Sequence, residues 1–491
     1  MKQTNQQNRM IKRYCILCVI FVCMWNIPSY GQMLTKAQML ADLNFLQGHV
    51  NEYCYFVPLL EQRTGVSVNA EFDQLKQTIT GPEPIDKFIY TVRTGLNFLN
   101  DWHTGIANKW QILMCCTPNY YLSPLSNATV ADTLHATYYQ RLITDSIYGK
   151  VKCGIWIKYL NGKYYNIRSF TYKGIPVQSG EKISAIDGIP INRFINKYRN
   201  QMLFPLWDPV HKQWYEESFI YALPEMGMQK FSLTIGNKKI NIDCAKPMDN
   251  LQKIHAQSHG PKMLLINNDI LYIDMPSMFN ANWYINEFLH IYISSIKKII
   301  IDIRNNGGGS DGVWQDLLKK IIDKPLKYRY CVGMKHNAIL EKAVSSFGTI
   351  KVEGSNAILT QDVTLRPDSN SVHFNGKIYV LQNQHVYSAA AALSSVALQE
   401  RNMVLVGEPI PVIAGYTLPP ILFKLPNSGI AFELAFSADL SGGKKNPYMD
   451  KVEVPVNLSL KEYLDMIFHN DYHSDDFLRN KDKLIQYVKE H

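Results

Sequence analysis

At 491 residues the chain is long for one hydrophobic core and predicts two or three domains. Hydrophobic residues at 46%, aromatic at 12% and charged at 19% describe a globular protein and exclude a disordered one. The formal charge of +9 falls to +5 once the first 32 residues are set aside, because Lys2, Arg9, Lys12 and Arg13 lie there without any acid. What remains is dispersed, with no long Lys/Arg block, and gives no reason to expect nucleic acid as a partner.

Residues 1–32 read as an export signal. "MKQTNQQNRMIKR" is a basic leader and "YCILCVIFVCMW" an apolar run of the usual dozen residues. Small residues at Ser29 and Gly31 then place cleavage before Gln32. The apolar run is short for a bilayer span. An uncleaved anchor and a lipid-modified Cys23 are the competing readings. The mature chain is thus expected outside the cytoplasm, periplasmic or extracellular, with no stable membrane insertion; no second stretch is long and apolar enough to cross. Cys15, Cys18 and Cys23 leave with the signal. The other six, Cys54, Cys115, Cys116, Cys153, Cys244 and Cys331, form no ligand-spaced cluster, so neither a structural metal nor another cofactor is expected. Some could pair in an oxidising compartment, but the sequence does not choose among the pairings, and buried free thiols fit equally.

Residues 33–117 carry apolar side chains at helical spacing, as in "IDKFIYTVRTGLNFLNDWHTGI", with Pro82 and Pro84 separating helices. Residues 118–246 predict a β-rich module: "YYNIRSFTY" and "FSLTIGNKKINIDC" alternate, and turns at Ser179–Gly180 and Asp187–Gly188 bracket the strand "KISAI". A polar linker follows over Asp249–Lys262. From 263 to 465 strands alternate with helices: "ILYIDM", a helix over 282–296, "KKIIIDI", a helix over 311–323, "KIYVLQN", a helix over 388–400 and "NMVLVG". That order predicts an α/β layer with a largely parallel sheet, Ile299–Ile301 being covered on both faces. Residues 466–491 predict a polar turn and an amphipathic tail helix, and segments 204–226 and 330–370 read as loops. Near the tail's start, His473 with Asp475 and Asp476 reads as a solvated loop rather than a metal site.

Two serines compete for chemical attention. In "KKIIIDIRNNGGGSDG" a buried strand runs into three glycines, and Gly308 to Gly312 match G-x-S-x-G around Ser310. Three residues separate that strand from the glycines, whereas a nucleophile elbow turns sharply from strand to helix. The loop reads better as a source of backbone donors for an oxyanion. It matches neither a P-loop nor a dinucleotide fingerprint. Ser388, in "HVYSAAAALSSVALQE", stands directly between a strand and a helix. It is either a helix N-cap or a nucleophile, with the alanines leaving room for substrate and the Ala389 amide facing an oxyanion. A nucleophile needs a base. His103, in "LNDWHTGI", leaves a helical segment beside Thr104 and Gly105; His385 is expected to point off the strand elsewhere.

Taken together, "IIIDIRNNGGG", "IYVLQNQHVYSAAAAL" and "VLVGEP" in that order resemble the serine peptidases of the C-terminal processing, or tail-specific, protease family. "NDWHTGI" resembles the histidine signature of the branch that includes the tricorn core protease and interphotoreceptor retinoid-binding protein. "GIPVQSGEKISAIDGIPI" is similar to the end of a PDZ-like module. The resemblance implies a multidomain α+β chain: a crotonase-like α/β core, an N-terminal helical region and an inserted PDZ-like module. It implies an exported serine endopeptidase acting on protein or peptide, with Ser388 as nucleophile, His103 as general base, and Gly307, Gly308, Gly309 and Ala389 supplying the oxyanion hole. A lysine dyad is not implied, because "GEPIPVIAGYT" lacks the lysine and Lys424 sits in an apolar run. For the third triad member "FSADLSGGKKNPYMDKVEVPVN" offers Asp439 and Asp450, and the family's usual position favours Asp450. Asp101, two residues from His103, is expected to point away into solvent, and Glu408 to serve the loop. Trp102 stands where the branch has a small residue and narrows the site. The module either captures a peptide carboxylate or acts as a spacer, the latter fitting its missing glycine-rich loop. The same core also hosts non-catalytic proteins, so a ligand-binding scaffold is the alternative.

Overall fold

The computed structural model describes residues 32–117, 120–149, 151–252, 260–279, 295–413, 415–442, 448, 452–468 and 472–491. The export signal, most of the helix expected over 282–296, and Asp450 lie outside the described residues.

The core sheet has six strands in chain order: β1 Lys262–Ile266, β2 Ile270–Asp274, β3 Lys298–Asp302, β4 Lys377–Gln382, β5 Met403–Gly407 and β6 Val454–Pro455. β1 and β2 are antiparallel, turning at Asn267 and Asn268, both at positive φ, where asparagine is tolerated better than most residues. β2 to β6 run parallel. The period-two rule divides the strands between two cores. Leu271, Ile273, Ile299, Ile301, Val380 and Leu405 face the main core, which includes α1 (Asp311–Ile321) and α2 (Ala389–Ala397). Tyr272, Ile300, Leu381 and Val406 face the chain's last helix, Lys483–Glu490, through Leu484, Ile485 and Val488. The expected tail is therefore three helices, Leu460–Phe468, Asp475–Asn480 and Lys483–Glu490, and the last is a layer of the core. Arg304 fixes it there: its guanidinium reaches Asp302 at 2.6 Å and Asp482 at 2.8 Å, and Asp482 caps the helix.

Between β3 and β4 the segment expected to be a loop folds instead into strands Leu326–Lys335, Thr349–Glu353 and Asn356–Leu365, which form a second antiparallel sheet with Ala438–Asp439. "LKYRYCVGMK" alternates buried and exposed through its first half, the pattern of a half-buried strand.

The N-terminal helices Lys36–Tyr53, Val57–Thr64, Val68–Gln77 and Ile85–Asn97 pack on one another through Leu43, Leu46, Phe72, Phe88 and Val92. Helical structure continues with Lys109–Cys115 and Thr133–Gly149, so the region expected to turn β-rich at 118 opens with a helix. Its main sheet begins at Ile157 and pairs strands Ile157–Leu160, Lys163–Asn166, Lys182–Ile186, Lys230–Ile235 and Lys238–Asp243. Among the described residues no helix is long and apolar enough to cross a membrane.

Candidate active site

β4 ends at Gln382, and six residues later the chain turns sharply into α2. At the turn Ser388 has φ 51° and ψ −128°, and its side chain makes no cap hydrogen bond. A non-glycine residue in this region costs about 1–3 kcal/mol, and a helix cap has no need of it. Ser310 is the ordinary cap: it has extended backbone, and its hydroxyl accepts the Gly312 amide at 3.2 Å. The N-cap role weighed for Ser388 in the sequence thus falls to Ser310 instead. Ala390, Ala391 and Ala392 are wholly buried. They serve close packing of α2 in the core and do not line a cleft as expected.

The glycine loop is docked on the turn through Asn306, which is fully buried. Its carbonyl accepts the Tyr387 amide at 3.0 Å, its Nδ2 donates to Met275 O at 2.7 Å, and its Oδ1 accepts the Gly308 amide at 2.8 Å. The Gly308 amide is therefore committed within the loop, a departure from its expected place in the oxyanion hole. Gly309 approaches Met278 so closely that a Cβ would stand 2.4 Å from the Met278 carbonyl oxygen, whereas Gly307 faces open space. Ala389 heads α2, where the first amides of a helix lack intrahelical acceptors.

His103 arrives from the N-terminal region by strand pairing. Gly105–Ile106 adds as a third strand to Ile421–Lys424 and Ala431–Leu434, and the Ala435 amide donates to Thr104 Oγ1 at 3.0 Å. This holds His103 Nε2 3.2 Å from Ser388 Oγ. Residues 285 positions apart thus stand within hydrogen-bonding distance.

Behind the imidazole stands Tyr387, whose hydroxyl lies 2.7 Å from His103 Nδ1 and donates to Asp101 Oδ1 at 2.7 Å. The amides of Trp102 and His103 both donate to the same phenol oxygen at 3.1 Å. Burial, with the charge of Asp101, pushes the Tyr387 phenol well above its ordinary pKa, so it keeps its proton. Asp101 is only 7% exposed; its Oδ2 accepts the His103 amide at 3.1 Å and the Thr104 hydroxyl at 3.2 Å. The solvated role expected for it is overturned. At 3.8 Å from Nδ1 its Oδ1 is beyond a direct hydrogen bond.

Asp439 is buried but occupied elsewhere, accepting from Ser395, Tyr416 and Ser441. Lys424 pairs with Asp132 at 3.1 Å. The Trp102 ring packs 5.0 Å from the Tyr387 ring and 6.2 Å from that of Phe204. His385 lines a 670 Å³ cavity at the C-terminal ends of the parallel strands, together with Lys158, Glu217, Gln384 and Glu408. Tyr387, Asp101 and Asn306 escape sequence reasoning. The one signal was the run Asn-Asp-Trp-His-Thr, where an aspartate two residues before a turn commonly accepts from the backbone.

Residues 269–443 match the family model described as Peptidase family S41, in keeping with the tail-specific peptidase resemblance. No curated protein matches the chain. Among solved structures, mature CPAF is similar at 12% identity, over 93% of this chain and 97% of that one, with a TM-score of 0.55. Mature CPAF complexed with lactacystin is similar at 12% identity, over 93% and 98%, with a TM-score of 0.53. At these identities the likeness is one of fold.

Proposed function

We propose, from the premise that this chain carries a peptidase family S41 domain, that it is an exported serine endopeptidase working through an acyl-enzyme at Ser388. The observation that carries the reading is the 3.2 Å approach of His103 Nε2 to a serine held in a strained turn without a cap bond.

The chemistry runs as follows. His103 Nε2 takes the hydroxyl proton as Ser388 Oγ attacks the substrate carbonyl, the general-base step worth about 10²–10⁴-fold. The oxyanion that forms faces the amides of Ala389, Gly307 and Gly309, one such donor being worth about 10²–10³-fold. The imidazolium returns its proton to the leaving amine, and a water, deprotonated by the same nitrogen, releases the acyl group. No metal or organic cofactor takes part. Export rests on the basic leader and apolar run of residues 1–32.

A fluorophosphonate probe tests the reading. Labelling is expected in the wild type and in Ser310→Ala and absent in Ser388→Ala; a wild type that folds and takes no label would leave only a binding scaffold. Lactacystin, which mature CPAF binds in its complex, serves as a second probe competing for the same serine. N-terminal sequencing of secreted protein is expected to begin at or near Gln32.

A further inference from the structure

We propose that Tyr387 and Asp101 together act as the third member of the catalytic group, positioning residues that fix the His103 tautomer through a phenol rather than by direct carboxylate contact. The inference rests on the peptidase reading of Ser388 and His103 and deepens it.

The proton order along the chain is dictated by donor and acceptor capacity. A carboxylate only accepts, so the Tyr387 hydroxyl proton must point at Asp101 Oδ1, 2.7 Å away. With its one proton so placed, the phenol oxygen faces His103 as an acceptor, and the 2.7 Å contact with Nδ1 requires the ring to carry its proton there. Nε2 is then bare, and it is the nitrogen facing Ser388 Oγ. Among the described residues the other candidate, Asp439, is committed to Ser395, Tyr416 and Ser441. The geometry is also stiff. The amides of Trp102 and His103 both converge on the phenol oxygen, and the Tyr387 and His103 rings lie 4.6 Å apart. When the imidazole takes the serine proton, its positive charge is stabilised by Asp101 across the phenol.

Asp101→Asn tests the direction of the relay. Oδ2 receives two donors, the His103 amide and the Thr104 hydroxyl, so the asparagine oxygen stays there and its NH₂ group faces Tyr387. The phenol then donates to Nδ1, and the proton moves to Nε2. We expect the rate of fluorophosphonate labelling to fall about 10⁴-fold, as for an aspartate-to-asparagine change in a direct triad, with an unchanged melting curve. In ¹⁵N-histidine spectra, the His103 signal, identified by its loss in His103→Gln, should switch from the Nδ1–H to the Nε2–H tautomer. Tyr387→Phe should slow labelling by about 10²-fold or more and leave the tautomers mixed. A wild-type labelling rate in both variants, or an Nε2–H tautomer in the wild type, overturns the proposal. Failure of the peptidase reading shows separately, as absence of label in a wild type whose tautomer is still Nδ1–H.

A different observation points to a covalent site. We infer that Cys153 and Cys244 form a disulfide in the exported protein, stapling the start of the β-rich module to its end. Cys244 directly follows the module's last strand, Lys238–Asp243. Its carbonyl accepts both the Lys152 amide at 2.7 Å and the Cys153 amide at 3.2 Å. These two bonds bring the backbones of Cys153 and Cys244 side by side, and a disulfide needs their Cα atoms about 4.4–6.8 Å apart. The two thiols are buried, and their proximity lowers the proton affinity of Cys153 and raises that of Cys244. Elsewhere Cys54 donates to Ala435 O, Cys115 faces Glu433 and Cys116 faces Ala128 O.

Oxidation requires a disulfide donor, such as oxidised glutathione. The Cys153 thiolate displaces one thiol from it, the Cys244 thiolate resolves the mixed disulfide and displaces the second, and the donor gains the two electrons and two protons lost by the pair. Full-length mature protein refolded in a glutathione redox buffer, trapped with iodoacetamide and digested without reduction should yield a cross-linked Cys153–Cys244 peptide. Dithiothreitol should lower its melting temperature but not that of a Cys153→Ala, Cys244→Ala double variant. Recovery of both cysteines as alkylated thiols from the folded protein overturns the inference. Refolding does not depend on location, so a failure of export, read from the N-terminal sequence, is distinct.

Discussion

Gly308 and Ser388 meet at the atom that glycine lacks. A Cβ on Gly308 would stand 2.6 Å from Ser388 Cβ, 2.9 Å from the Tyr387 carbonyl oxygen and 3.1 Å from the Ala389 nitrogen. Gly308 also sits at φ +103°, a conformation L side chains rarely adopt. Two of the three neighbours are backbone atoms of the Ser388 turn, so the clash has no flexible side chain to absorb it. Gly308→Ala is expected to push the loop off the turn and slow fluorophosphonate labelling at least 10²-fold, the scale of one lost oxyanion donor. Gly307→Ala, whose Cβ meets nothing within 4 Å, should label within a few-fold of wild type. Paired labelling rates of the two variants decide whether the Gly308 contact holds the turn.

Ser388 holds its hydroxyl in place at a cost in backbone strain. The φ of 51° with ψ −128° is open to glycine and costs another residue about 1–3 kcal/mol. Glycine in turn loses about 0.5–1 kcal/mol through unfolded-state entropy. Ser388→Gly should therefore be more stable than Ser388→Ala by about 1 kcal/mol, both being inert to the probe. Urea midpoints of the two variants at equal m-value measure the difference; equal midpoints would mean the turn is relaxed.

Ser310 supplies the contrasting case. Its hydroxyl accepts the Gly312 amide at the head of α1, so Ser310→Ala should cost about 1 kcal/mol and leave labelling of Ser388 intact. A loss of labelling without a loss of stability would assign the chemistry to the other serine.

What the sequence could announce and what it could not divide along physical lines. The parallel strands were legible because Ile299–Ile301 and "IYVL" are apolar at every position, and the two chemical loops were legible because consecutive glycines and a serine between strand and helix are locally unusual. The strands after α1 were missed although "LKYRY" alternates, because the segment's polar residues and Gly333 mimic a loop. Asp101 was misjudged for a different reason. A residue two positions from a histidine points away from it in a regular helix, but Asn100 at φ 49° ends that geometry and the carboxylate turns inward onto Tyr387. No local pattern encodes a contact across 286 positions. Tyr387 was hidden by its place beside Ser388, where any bulky residue reads as core.

Glu433 gives the site a pH-dependent stability. It lies on the strand that pairs with Gly105, and burial, reinforced by the charge of Asp101, pushes its carboxyl up to about 8. The sign follows from which state ionises first. In the unfolded chain an ordinary glutamate loses its proton near pH 4.3, while the folded protein retains it to about pH 8. Below the lower value both states are protonated and the group contributes nothing. Between the two the unfolded state is favoured by about 1.4 kcal/mol per pH unit for this single group at most, so stability falls as pH rises and levels off above about 8. Glu433→Gln is neutral at every pH, and its side-chain oxygen can still accept from Gln111, the present partner of Oε2. Melting temperatures taken from pH 4.5 to 9 should show the variant close to wild type at the acid end and increasingly more stable towards pH 8. A variant that tracks wild type across the range would place the proton elsewhere, and one that is less stable at pH 8 would mean the carboxylate is held charged by a partner.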